Sequence, residues 1–355
     1  MEGSKSKQLV SISSHQIGDP GKVYIVAEIS ANHSGDLDRA LAIVDAAAEA
    51  GADAVKIQTL SPSKITLDSD RPEFQINKGP RKGMSLFELY QKAETPRSWH
   101  EPIFDRASKL GLDAFSSPFD LDAVDFLASK NVPAYKIASF EIVDLPLIEK
   151  AASNMRPMII STGMASAEDI EDAVECCKRV GNEQIILLYC VSGYPTPVEE
   201  TNLLKLQQLA TRTGCLVGLS DHTLTISTSV AAVALGACFI EKHLTLSRDD
   251  GGLDAAFSLE PSEFSELTKS CREAALALGH ASEGLKASEV FTSRLRRSLY
   301  VVRNIVKGEA FTPENTSSIR PNNGLPPKHY KTVLGRSATC DIEAGTPLSW
   351  ELVGE

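Results

Sequence analysis

No run among the 355 residues comes near the roughly 20 consecutive apolar residues of a membrane-spanning helix, and the opening MEGSKSKQLV lacks the apolar centre of a signal peptide. A cytoplasmic location with no membrane partner is therefore expected. Paired cysteine spacing is missing as well. The seven cysteines are an odd, scattered set with only Cys176 and Cys177 adjacent, which argues against a disulfide framework or a cysteine zinc site and for reduced thiols. A basic excess is also absent. With 47 acidic and 36 basic residues the formal net charge is -11, the wrong sign for tracking a phosphate backbone, so nucleic acid is not an expected partner. A small anionic substrate is compatible with that balance, because a few cations focused in one cleft dominate locally.

What the chain does have is an ordinary globular composition, 42% hydrophobic and 23% charged, and a length that fits a barrel of about 250 residues plus a small appendage. Short β-rich runs alternate with longer amphipathic ones. The strand candidates are Val23–Ser30, Ala52–Thr59, Asp113–Phe119, Ala134–Ser139, Pro157–Gly163, Ile185–Ser192, Val217–Thr223 and Phe239–Thr245. In LDRALAIVDAAAEAGA, Leu37, Leu41, Val44 and Ala48 share one helical face, and Gly51 reads as the helix stop. The same signal recurs at Gly111, Gly181, Gly214 and Gly236, each before a strand. Eight β/α units favour a closed (β/α)8 TIM barrel over an open doubly wound sheet.

Two stretches break this rhythm. The polar segment from Thr59 to about Lys92 is too long for a simple βα loop and reads either as a binding loop or as a tolerated insertion. After Gly279 the periodicity lapses. The expected division is a barrel over 1–282, a linker over 283–296 and a small β-rich domain over 297–355, whose core is small enough to require docking on another surface.

Active sites of such barrels form at the C-terminal strand ends. There stand Glu28, Lys56, Ser117, Ser139, Ser161, Tyr194, Ser220, His222 and His243. Any single serine at such a place can equally cap a helix, but several serines and a lysine converging on one rim suit a phosphate or carboxylate. His222 and His243 end neighbouring strands, where two imidazoles can share a divalent cation such as Mn²⁺, Fe²⁺ or Zn²⁺. Lys56 and Lys136 leave a second chemistry open, that of a Schiff-base aldolase. His33 reads as structural, with Asn32 beside it in the first loop.

The motifs VAEISANHSGDLDRA, ADAVKIQT, FSSPFD, PAYKIAS, IISTGMAS, YPTP, GLSDHT, IEKH and GGLDAAFSLEP closely resemble, in order and spacing, the sialic acid synthase family. IRPNNGL and the late GTPL resemble that family's C-terminal antifreeze-like (SAF) domain. Within the family, SLFELYQKAETPRSWH, VPAYKIASFEIVDLPLI and AFSLEP look like the pseudaminic rather than the N-acetylneuraminate branch. Phe140 stands where the latter usually has Gly, and Ser192 where it has Asn.

The resemblance implies condensation of phosphoenolpyruvate with 2,4-diacetamido-2,4,6-trideoxy-L-altrose, or with a legionaminic precursor or N-acetylmannosamine. It implies a phosphoenolpyruvate site of Lys56, Ser117, Ser139, Ser161 and Ser220, with Ser117 in place of the family's commoner Thr. Sugar contacts would be Glu28, Tyr194 and Asp254, and the metal ligands His222 and His243. The metal would be Mn²⁺, with Mg²⁺ or Co²⁺ as alternatives. Glu28, Glu141 and Asp254 are the carboxylates that could take a proton from water. Arg320 matches an arginine that the SAF domain lends to the partner's barrel in a domain-swapped homodimer.

Overall fold

The computed structural model describes residues 9–78, 81–279 and 283–355. Two compact units are present, Met1–Gly279 and His280–Glu355. Residues 1–8 of the opening segment, and 280–282 at the expected domain boundary, lie outside the described residues.

The first unit opens with a hairpin, β1 (Val10–Ile12) against β2 (His15–Ile17). Eight parallel strands then close on themselves: β3 (Tyr24–Glu28), β4 (Ala54–Thr59), β5 (Asp113–Pro118), β6 (Tyr135–Ile137), β7 (Met158–Ser161), β8 (Ile185–Tyr189), β9 (Leu216–Asp221) and β10 (Phe239–His243). β10 pairs with β3 and completes the (β/α)8 TIM barrel. The strands are shorter than the sequence suggests. Ser30, Ser139, Gly163, Ser192, Thr223 and Thr245 lie just beyond them, in the loops that leave the barrel.

Strand side chains alternate in direction, and the apolar residues accordingly divide into two cores. Ile25, Ala27, Val55, Ile57, Ile160 and Leu187 face the surrounding helices. Val26, Ala54, Phe115, Ile159, Leu188 and Phe239 fill the barrel interior together with Val10, Ile12 and Ile17 of the hairpin. That hairpin stops the lower end. His15 Nδ1 lies 3.0 Å from Asp113 Oδ2, and the Tyr24 hydroxyl donates to the same oxygen at 2.7 Å.

The first barrel helix, Leu37–Glu49, corrects one expectation. Its buried face is Ala40, Ile43, Val44 and Ala47, with Leu37, Leu41 and Ala48 only partly buried along the edges. Small Ala40 and Ala47 let the helix approach the strands closely, and the larger leucines fill the flanks. The five expected helix-stop glycines all have positive φ. No described helix is long and apolar enough to cross a membrane.

Register aligns the functional rows. Glu28 is level with Lys56 on one side and His243 on the other, and Ser220 is level with Glu241. The second unit pairs β11 (Ser298–Val301) with β12 (Thr316–Ile319) and buries a small core including Leu299, Val301, Ile305, Phe311, Val333 and Ile342. Residues 283–296 include two short helical turns, Ala287–Glu289 and Val290–Ser293.

Gly218 on β9 shows how tightly the barrel interior is filled. A Cβ there would meet the Phe239 carbonyl oxygen and come 2.7 Å from Leu188 Cδ2 and 2.8 Å from Phe239 Cβ. Gly218→Ala should therefore cost about 1–3 kcal/mol, read from the urea midpoint. A midpoint equal to the parent's would show that the interior has slack.

Candidate active site

Above the apolar floor the interior positions of successive strands become polar. Lys56 and Lys136 are both buried in the barrel. Lys56 Nζ lies 2.6 Å from Glu28 Oε2 and 3.5 Å from Glu241 Oε1, and donates to Ser117 Oγ at 3.3 Å. Lys136 Nζ donates to Ser161 Oγ at 2.6 Å and to the Ile137 carbonyl at 2.9 Å. Ser139 Oγ accepts from the Gly163 amide at 3.2 Å and sits 3.0 Å from Cys190 Sγ. Position 163 must be glycine for this to fit. A Cβ would stand 2.8 Å from both Ser139 Oγ and Cys190 Sγ, and closer still to Ser192 Oγ.

Burial pushes the Glu28 carboxyl up to about 7, and Lys56 offsets only part of that rise. Glu241 goes the other way. Burial favours its neutral form, but Lys136 and Lys56 outweigh it and hold the carboxyl below the usual range. Burial works against the Lys56 charge too, yet Glu241 and Glu28 raise its pKa. Lys56 thus stays cationic between two carboxylates, of which Glu28 is the one poised to exchange a proton near neutrality. Burial lowers the pKa of Lys136.

His222 and His243 stand next to each other, ring centroids 5.6 Å apart. His222 Nδ1 lies 2.9 Å from the Val191 carbonyl, an arrangement that puts the proton on Nδ1 and leaves the Nε2 lone pair for a ligand. His243 Nδ1 is buried and has no hydrogen-bond partner among the described residues. Burial lowers both pKa values and keeps the rings neutral. Among the described residues no group of three or more His, Cys, Asp or Glu side chains is arranged to hold a metal ion. The pair therefore fits a divalent metal only if water or substrate completes the shell. Behind it, the buried Lys242 Nζ pairs with Asp221 Oδ2 at 2.8 Å and donates to the Thr223 carbonyl at 2.6 Å, pinning the two strand ends together.

Aromatic rings form one wall. Tyr194 packs on His222 at 4.5 Å and on Phe257 at 5.1 Å, and Phe257 reaches His243 at 4.9 Å. Glu141 follows β6 in a short turn, its Oε2 buried without a hydrogen-bond partner and its carboxyl pushed by burial up to about 7. Asp254 lies beyond β10 and accepts from Ser30 Oγ at 2.5 Å. Glu28, Lys56, Ser117, Ser139, Ser161, Ser220, His222 and His243 are thus carried by the C-terminal half of one barrel. Arg320 is exposed in the second unit. Asn32 donates to the Leu244 carbonyl and Ser258 Oγ, and His33 lies 3.2 Å from Thr95 Oγ1, so both brace the first loop.

Glu241, Gln58, Phe257 and Cys190 were not singled out by sequence reasoning, and Lys136 appeared only as a rival nucleophile. A signal was available for three of them. Gln58 lies two residues after Lys56, Glu241 two before His243, and Cys190 two after the inward-facing Leu188, so strand alternation points all three inward.

Residues 43–283 match the NeuB family and residues 296–353 the SAF domain. A (β/α)8 barrel with lysines and histidines at its C-terminal end is thereby placed, and the chain belongs to the NeuB family. It is 45% identical over 326 residues to the pseudaminic acid synthase of Helicobacter pylori, covering 92% of this chain and 96% of that one. It is 35% identical over 334 residues to the N,N'-diacetyllegionaminic acid synthase of Legionella pneumophila, covering 92% and 94%. The solved N-acetylneuraminic acid synthetase of Leptospira borgpetersenii superposes with a TM-score of 0.72 at 33% identity, over 81% of this chain and 95% of that one.

Glu141 provides a pH test. Its native carboxyl is raised to about 7, whereas an unfolded glutamate titrates near 4.3. Between these values the native chain holds a proton that the unfolded chain has released. The stability this contributes is complete below about 4.3 and is lost as pH rises through about 7. Glu141→Gln should escape that loss, so its Tm should gain on the parent's between pH 4.5 and pH 8. A Tm difference independent of pH would refute the assignment.

Proposed function

We propose that this chain is a pseudaminic acid synthase, joining phosphoenolpyruvate to 2,4-diacetamido-2,4,6-trideoxy-L-altrose to give pseudaminic acid and phosphate. The observation that carries the reading is the pair of buried lysine side chains, Lys56 and Lys136, among serine hydroxyls beside a protonatable Glu28. The higher identity to a pseudaminic than to a legionaminic acid synthase supports the choice of sugar. A legionaminic precursor or N-acetylmannosamine is the alternative substrate.

On this reading Lys56, Lys136, Ser117, Ser139, Ser161 and Ser220 hold the phosphate and carboxylate of phosphoenolpyruvate and keep its C3 facing the open-chain sugar. C3 attacks the aldehyde carbon, forming the new C–C bond as the aldehyde C=O π bond opens onto its oxygen, which takes a proton from water to become a hydroxyl; an oxocarbenium ion is left at C2. Water adds to C2 and gives its proton to Glu28. The tetrahedral centre collapses to the 2-keto acid by breaking the C2–O bond to phosphate, which departs with the bridging oxygen. A divalent cation, Mn²⁺ or alternatively Mg²⁺ or Co²⁺, held by His222 and His243, would polarise the aldehyde oxygen. Tyr194, Glu141 and Asp254 line the sugar side, and Arg320 serves the partner's barrel in a domain-swapped homodimer.

A Schiff-base aldolase needs a free neutral amine. Lys56 is held charged by two carboxylates, and Lys136 donates to Ser161 and the Ile137 carbonyl.

Enzyme supplied with Mn²⁺ and phosphoenolpyruvate should form product, read by mass spectrometry, most readily from the diacetamido-altrose among the three sugars. Oxygen-18 at the C2–O bridge should leave in the phosphate; label retained in the sugar would sink the mechanism. His222→Ala and His243→Ala should each weaken Mn²⁺ binding at least tenfold by titration calorimetry with an unchanged circular-dichroism spectrum. Parent-like affinity in both would refute the ligand pair.

A further inference from the structure

The long polar segment after β4 has no part in the mechanism above. Its described residues fold back on themselves: Gln75 bridges Ser85, the Ile76 amide donates to the Met84 carbonyl at 3.0 Å, and the Gly83 amide donates to the Ile76 carbonyl at 2.9 Å. Ser85 and Glu88 then form a reciprocal cap that starts the helix Leu86–Ala93. Arg81 lies between Ile76 and Gly83 in the chain, inside this fold-back. Its Nη2 donates to the Leu253 carbonyl at 2.5 Å and to Asp254 Oδ1 at 2.9 Å. Its Nε and Nη1 have no hydrogen-bond partner among the described residues.

Asp254 continues the path inward. Its Oδ2 accepts from Ser30 Oγ at 2.5 Å and from the Ala31 amide at 3.4 Å. Ser30 Oγ accepts from Gln58 Nε2 at 2.8 Å, and the same nitrogen reaches Glu28 Oε1 at 3.1 Å. Ser30 holds a positive φ of 47° without being glycine, a strain that folds keep where geometry is functionally constrained. One row of polar contacts thus runs from a loop arginine to the carboxyl poised to take a proton.

The Arg81 side chain is one-third exposed, and an ion pair in such a place adds little to stability. Its planar fork keeps donors in reserve beside a carboxylate that balances its charge. That combination suits a neutral ligand rich in hydroxyl and acetamido oxygens better than an anion. We propose that Arg81 is a sugar-positioning residue: it holds Asp254 against Ser30, fastens the loop, and presents its remaining N–H groups to an oxygen of the sugar. Loop docking and sugar orientation are then one event. This inference rests on the synthase reading.

Arg81→Ala should raise the KM for the sugar roughly tenfold or more, the size of a lost charge-assisted hydrogen bond, while KM for phosphoenolpyruvate and Tm stay at parental values. Arg81→Lys should recover part of the loss. Hydrogen exchange, which needs no substrate, should be faster in Arg81→Ala at the amides of Ile76 and Gly83. An unchanged sugar KM, or a parallel loss of Tm and of phosphoenolpyruvate binding, would overturn the proposal. If the parent converts none of the three sugars, the synthase reading fails; the exchange measurement then decides the loop-fastening role alone, and parental exchange rates overturn that too.

Discussion

Two ammonium groups shut inside a barrel are the constraint around which the site is arranged. Removing a charge from water is costly enough that it persists only when paired and hydrogen-bonded. Lys56 is held by Glu28, Glu241 and Ser117, and Lys136 by Ser161 and a carbonyl, with Glu241 nearby as a stabilising charge. The two lysines face two carboxyls, Glu28 and Glu241, which offset their charge. The cluster can therefore stay buried in the empty enzyme, and a small shift in any member changes the proton affinity of the others. Glu28 owes its near-neutral titration to burial, which the charge of Lys56 offsets only in part.

Strand periodicity makes much of this legible in the sequence alone. Lys56, Ser117, Ser161, Ser220 and His243 fall on alternate positions of runs that are otherwise apolar, and the alternation alone turns them inward. Glu241 was overlooked because a carboxylate between an isoleucine and a lysine reads as an ordinary surface charge until the strand register is known. Lys136 was seen, but its side-chain partner Ser161 comes from the next strand, so a hydrogen-bonded lysine could not be told from a nucleophile. The wall of Tyr194, Phe257 and the two histidines was out of reach for the same reason: its members come from three separate loops and strand ends.

The loops were the least legible part. The segment after β4 was marked by length and polarity, yet nothing in RPEFQINKGPRKGMS says that Arg81 meets a carboxylate 173 residues further on. In the first helix, periodicity favoured the large residues Leu37 and Leu41, whereas close packing against the strands selected Ala40 and Ala47. Hydrophobic pattern finds the side of a helix that faces a core; the size of the gap decides which residue lies deepest.

The β1–β2 hairpin has a consequence for traffic. With Val10, Ile12 and Ile17 packed into the lower end and Tyr24 and His15 tied to Asp113, the described residues stopper the barrel at the end opposite its upper rim. A molecule held at the level of the lysines must pass the rim before anything settles there, and it leaves only after the rim has cleared. Access to the level of the lysines from below is thus denied by two three-residue strands at the far end of the barrel.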